Sequence, residues 1–273
     1  MSVPEASQKR PLADYPPSFW GDRFLNFHFD EIKHARKQEE AEKLKEEVRR
    51  ELLKSADDPM QQLNLIDEIQ RLCVAHHFED DIKEALERLY ASFHSDHDDN
   101  LYSLALRFRL LRQEGYNISA ERFNKLKDEK GNFNECLIAD VRGMLSLYDA
   151  SQLRIRGEEI LDEALAFTTA QLSKSLETGT ITSIPLAAQV SHALKQQMRK
   201  NLPRLEAKHY MMHIYPEMAS HNKTLLKLAR LEFNLLQSMH RKELSVLTRI
   251  SCKVVLRKRQ ACGVLLLVGR KLP

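Results

Sequence analysis

The chain has 273 residues, of which 42% are hydrophobic and 30% charged, with only 8 glycines and 9 prolines. This mixture is too apolar for a disordered chain and can bury a core as one large domain or two modest ones; the longest clean apolar run, Val264–Val268, is far short of the roughly 20 residues that span a bilayer. The net charge of +3 comes from the end of the chain: Lys253, Arg257, Lys258, Arg259, Arg270 and Lys271 face no acid within residues 250–273, which leaves 36 basic and 39 acidic residues before them and argues against nucleic-acid binding by the body.

Residues 1–27 contain Pro4, Pro11, Pro16 and Pro17 with no helical period and read as an extended arm. The N-terminus has neither an apolar signal-peptide core nor the length of a transit peptide, so the cytosol is the expected address. Cys73, Cys136, Cys252 and Cys262 are scattered without a C-x-x-C pair, consistent with idle thiols in a reducing compartment. A charged helix with a solvated face is expected from Asp30 to about Ser55, and Asp57-Asp58-Pro59 signals the next helix start. Apolar stripes then follow at three- and four-residue steps: Ile66, Ile69 and Cys73; Ile82, Leu86, Leu89 and Phe93; Leu104, Phe108 and Leu111, closed by Gly115. Val141, Leu145 and Tyr148 continue the pattern, as do Ile160, Ala164, Phe167 and Leu172. Pro185 and Pro203 open two more helices, and Leu225, Leu228, Leu231, Leu235 and Met239 mark a long one ending near Arg249. No stretch alternates with period two, so roughly ten antiparallel helices and no strands are expected.

Few residues suggest chemistry by type and spacing. Asp80-Asp81-Ile82-Lys83-Glu84 has the form of an Asp-rich magnesium motif, but Ile82 starts an apolar stripe and turns the carboxylates outward. Asp96-His97-Asp98-Asp99 has the form of a D-x-D-D acid motif and equally that of a helix N-cap cluster; His94 and His97 are a weaker metal option. His209, His213, Glu217 and His221 fall at ligand spacing, with Pro216 breaking the run. No Gly-rich phosphate loop and no Ser-His-Asp or Cys-His signature is present.

Longer strings are more specific. Arg10-Pro11 followed by Trp20 resembles the R-[RP]-x8-W arm of plant terpene synthases. Leu101–Tyr116, Leu147–Thr169 and the segment from Asn222 to Arg249 resemble helices of the same family in the same order. The Pro11 variant of the arm is similar to the cytosolic sesquiterpene synthases. The resemblance implies an all-α fold: an antiparallel α/α-barrel followed by one orphan helix of a class I cyclase domain. It implies farnesyl diphosphate as substrate, three Mg2+ ions as cofactor, and a lid over the active site in which Arg10 and Trp20 help exclude water from an allylic cation. Class II relatives place their D-x-D-D motif in a register that falls here on Asn100–Ser103, so the acid cluster upstream is not read as a protonating motif.

After Arg249 the family continues with a Trp-rich helix, an R-x-R element, a D-D-x-x-D motif and a second metal motif, none of which occurs in residues 250–273. That segment reads as foreign sequence, from a frame change, a retained intron or a gene-model error. The expected organisation is an arm over 1–27, an N-terminal α-barrel domain over 28–215, the first helix of a truncated catalytic domain over 216–249 and a basic tail over 250–273. No catalytic residue and no metal ligand is assigned, and the chain alone is expected to be an inactive monomer without nucleic-acid or membrane partners. The alternative is a non-catalytic helical module or truncated isoform that associates with a full-length synthase. It rests on an expected loss of burial at Leu228, Leu231 and Leu235. An unrelated helical scaffold with a membrane-surface tail is the remaining reading.

Overall fold

The computed structural model describes residues 20, 23–92 and 100–268, with side chains as far as Ile250 apart from Ser92 and Arg199. Every regular element among them is helical, and the single β-bridge pairs Lys127 with Phe133. By packing they fall into two units, one of residues 36–233 and one of the described residues before 36 and after 233.

Helix starts follow the caps. Asp30 accepts the Lys33 amide at 2.9 Å and opens α1 (Glu31–Lys54). Of its 24 residues, four are buried at three- and four-residue steps: Ala41, Leu44, Val48 and Leu52. Asp58 accepts the amides of Met60 and Gln61 and, with Pro59 at the first turn, opens α2 (Pro59–Arg71). That helix ends in a Schellman-type closure with Cys73 at φ 58°, where glycine is the usual occupant. The turn Ala75–His77 leads into α3 (Glu79–Ser92). Helix α4 (Leu101–Gln113) is capped by Asn100, which accepts the Ser103 amide at 2.8 Å. It closes through Gly115 at φ 89°, with Tyr116 N–H on the Leu111 carbonyl and Gly115 N–H on that of Arg112. The acid cluster 96–99, with His94 and Phe93, lies outside the described residues; the cap itself is Asn100.

Within residues 36–233 the helices close a circuit. Helix α2 packs on α4, α4 on α5 (Val141–Ser151), α5 on α6 (Glu159–Glu177) and α6 on α7 (Ile184–Lys195). From there α7 meets the wide turn Tyr210–Ile214, which continues α8 (Pro203–His209), and α8 returns to α2. Helices α4 and α5 are buried on nearly every face, which is why Arg107, Arg109, Ser146 and Asp149 lie inside with Leu104, Phe108, Leu145 and Leu147. The crossing of α4 and α5 depends on Gly143: a Cβ there would lie 2.8 Å from Leu101 Cδ2 and would strike the capping Asp140.

Three expectations change. The inner stripe of α6 is Leu161, Ala164, Thr168 and Leu172, one step on from Ile160 and Phe167, because Thr168 satisfies its hydroxyl on the Ala164 carbonyl at 2.7 Å and can face the core. Helix α9 runs from Lys223 without a break through Arg249 to Val268, so the change in composition at residue 249 does not end the helix. Leu228 and Leu235 are buried, as are Leu225, Leu226 and Ala229. The start of α9 is bound to α1 through Lys227–Glu40 at 2.6 Å, Lys45–Glu232 at 3.0 Å and an Asn222–Glu51 hydrogen bond. The exposed large apolar residues of α9 lie further on, at Met239, Leu244, Val246, Leu247 and Ile250.

Candidate functional site

The helical circuit encloses charge. Arg71 of α2 donates from Nε to Asp67 at 3.0 Å and from Nη2 to Asp149 of α5 at 2.7 Å, while Arg109 of α4 donates to the same Asp67. Burial pushes the Asp67 carboxyl up, but Arg109 and Arg71 together outweigh it and hold it below its ordinary value. At the next residue, burial outweighs the hydrogen bond that Glu68 accepts from the Tyr215 hydroxyl at 2.6 Å and pushes that carboxyl up to about 7. Tyr102 donates to Asn64 at 2.5 Å and stacks against Arg142, whose carbon lies 4.0 Å from the ring centre. The cavity among these groups holds about 50 Å³. Ligand pockets are commonly several hundred Å³, and the opposed charges here already satisfy one another, so this interior fastens helices.

Larger spaces open at its edges. One of about 450 Å³ lies between Gln70, Gln113, Pro203 and Glu206, and one of about 870 Å³ lies along Glu51, Lys54, Asn64, Glu68 and Arg142. Their walls are polar and mixed in charge, with no concentrated set of carboxylates.

The other unit holds the chain entry. Trp20 is 51% exposed, with Phe24 at 5.6 Å and the Arg23 guanidinium 5.8 Å from its ring. Arg249 of α9 donates to the carbonyls of Leu25 at 3.2 Å and Phe27 at 3.4 Å, and Lys242 lies 4.3 Å from the centre of the Phe29 ring. The segment between Trp20 and α1 is thus fastened by α9. Arg10, the other residue of the expected lid, lies outside the described residues.

The remaining candidates separate. Asp80 and Glu84 are exposed, Glu84 pairs with Arg88, and Asp81 accepts from Arg49 at 3.0 Å. His209 and His213 lie with their rings 5.2 Å apart, but the four do not converge with Glu217 and His221: the helix ends before Pro216, His209 stacks on His192 at 3.9 Å, and His221 bonds the Met218 carbonyl at 2.7 Å. A group the sequence reading passed over is His76, His77 and Glu232. The neighbouring histidines were visible, but their partner is distant in the chain.

A family model described as the N-terminal domain of terpene synthases matches residues 19–194. The chain belongs to the terpene synthase family. A sesquiterpene synthase of Santalum austrocaledonicum is 50% identical over 257 residues, covering 91% of this chain and 45% of the relative. The valencene synthase of Vitis vinifera is 51% identical over 246 residues, covering 89% and 44%. Among solved structures, limonene synthase with 2-fluorolinalyl diphosphate has a TM-score of 0.80 at 30% identity, covering 91% of this chain and 46% of that one. Isoprene synthase of grey poplar, in complex with three Mg2+ ions and dimethylallyl-S-thiolodiphosphate, has a TM-score of 0.75 at 39% identity, covering 82% and 42%. The fold of this terpene synthase chain is all-α, and it spans less than half the length of the relatives it matches.

Among the described residues no three carboxylates come within reach of one ion. Mg2+ takes oxygen ligands and shares them with substrate phosphates. Of the carboxylates met above, Asp67, Asp81, Glu84 and Asp149 are bound to cations, Glu51 and Glu68 accept from neutral side chains, Asp58 is spent on a helix cap and Asp80 is single and exposed. The one group of three metal-ligating side chains among the described residues is two-thirds imidazole. No helix among the described residues is long and apolar enough to cross a membrane.

Proposed function

We propose that these 273 residues supply the N-terminal half of a cytoplasmic sesquiterpene synthase whose substrate is farnesyl diphosphate, and that this half does not by itself ionise the substrate. The observation that carries the reading is the pattern of similarity: half of all positions are identical to plant sesquiterpene synthases across nine-tenths of this chain, yet the match covers under half of their length. In this reading residues 1–27 are the arm, 28–215 the α-barrel domain and 216–249 the first helix of the catalytic domain, with 250–273 a continuation outside the family pattern. Arg10 and Trp20 belong to a lid that closes over a reaction chamber built by the other half, where water must be kept from a carbocation. Ionisation there draws on Mg2+ held by that half, because the carboxylates described here are engaged elsewhere. Purified chain incubated with farnesyl diphosphate and Mg2+ is expected to give no hydrocarbon above a no-protein control by gas chromatography; product above that control would overturn the proposal.

A second reading is favoured by the exposed Leu244, Val246, Leu247 and Ile250 on α9: the chain associates with an intact synthase through this face. Co-expression with a tagged full-length relative would recover both chains if so. Recovery of the tagged chain alone would count against it.

A further inference from the structure

We propose that His76, His77 and Glu232 form a site for a divalent transition-metal ion of the zinc type, which ties the α2–α3 turn to α9. The two histidines end the turn Ala75–His77, and Glu232 projects from the first part of α9. One ligand atom from each of the three lies within 4.8 Å of the others. His77 Nε2 is closed off from solvent and sits 3.2 Å from Glu232 Oε1, yet it is out of line for a hydrogen bond. Protonated His77 pairs with Glu232 at this distance; with the imidazole neutral, the two ligand atoms flank a point in space that a cation can fill. Around a tetrahedral Zn2+ with bonds of about 2.0–2.1 Å, neighbouring donors are about 3.3 Å apart. The His77–Glu232 pair already has that spacing. The His76 ring lies 3.9 Å from the His77 ring, and its side chain is exposed, so it can rotate to close the third bond.

The donor set decides the class of ion. Two imidazoles and one carboxylate suit Zn2+ and its imidazole-seeking neighbours, whereas Mg2+ and Ca2+ require oxygen ligands. Three protein ligands leave a fourth position for water. The turn is also held from behind: Arg49 donates to the His77 carbonyl at 3.2 Å and to Asp81 at 3.0 Å, which fixes the direction of the histidine backbone.

Lys45 is the competitor. Its ammonium lies 3.0 Å from the same Glu232 oxygen and 2.9 Å from Glu42, so an arriving metal displaces it from Glu232 and leaves it on Glu42. With Arg204 as the other cation facing His76, the site binds metal in competition with the protein's own positive charge. The ion acts as a removable clip, and the magnesium chemistry of the proposed function is independent of it.

The test is a titration of the full chain with Zn2+ alone, followed by calorimetry. One ion is expected to bind per chain. Affinity falls roughly tenfold or more in His76→Ala and in Glu232→Gln, rises severalfold in Lys45→Met and is unchanged in His209→Ala. His76→Ala alters an exposed side chain and carries the test if Glu232→Gln does not fold. Undiminished binding by His76→Ala, or no binding by either the native chain or Lys45→Met, would overturn the proposal.

Discussion

At the scale of single residues, neighbouring carboxyls behave oppositely because their neighbours differ. Asp67 sits between two guanidinium groups and stays charged inside the protein; removing one partner of such a buried pair commonly costs about 3–5 kcal/mol. Glu68, next in sequence, has a tyrosine hydroxyl and no bonded cation, and its pKa rises from 4.5 to about 7. A carboxyl whose pKa is raised on folding favours the folded state while protonated. Its contribution is complete below 4.5 and is lost as pH rises through about 7. Glu68→Gln is therefore expected to remove a fall in stability of up to about 3 kcal/mol across that window. Urea unfolding of both proteins at matched pH values measures it, and parallel stability curves would show that Glu68 carries no such linkage.

Elements are where the sequence was most and least legible. Asp58-Pro59, Gly115, Pro185 and Pro203 each mark a helix end or start within a residue or two, because a cap or a ring constraint acts locally. The charged interior was not legible. Arg109 and Asp149 have the composition of a solvated face, and only the closing of the helical circuit brings Arg71 and Asp67 to meet them. The same holds for α9: Leu228 is buried, its neighbour Lys227 and nearby Glu232 pair with residues far away in the chain, and the backbone continues as helix through a change of composition that looked like an end. Gly143 belongs to this scale as well. Gly143→Ala is expected to force Leu101 aside and disturb the Asp140 cap, at a cost of about 1–3 kcal/mol. A drop in melting temperature with unchanged helical content at low temperature would confirm this, and an unchanged melting temperature would contradict it.

One unit is a closed circuit of helices; in the other, α9 holds the chain entry through Arg249 and Lys242. The family resemblance was readable from long strings such as Leu147–Thr169, since matching runs of that length carry more information than any short acid motif. Asp80 and Glu84 stay on a solvent face and His209, His213, Glu217 and His221 do not converge on one point, whereas His76, His77 and Glu232, which no short motif connects, do. The central claim is that this chain is a non-catalytic half that depends on the other half for ionisation. The most direct measurement compares the chain alone with a fusion in which the remainder of the Vitis vinifera valencene synthase follows Arg249, both given farnesyl diphosphate and Mg2+. Sesquiterpene from the fusion and none from the chain alone is the expected result. Sesquiterpene from the chain alone, or a folded fusion that makes none, would contradict it.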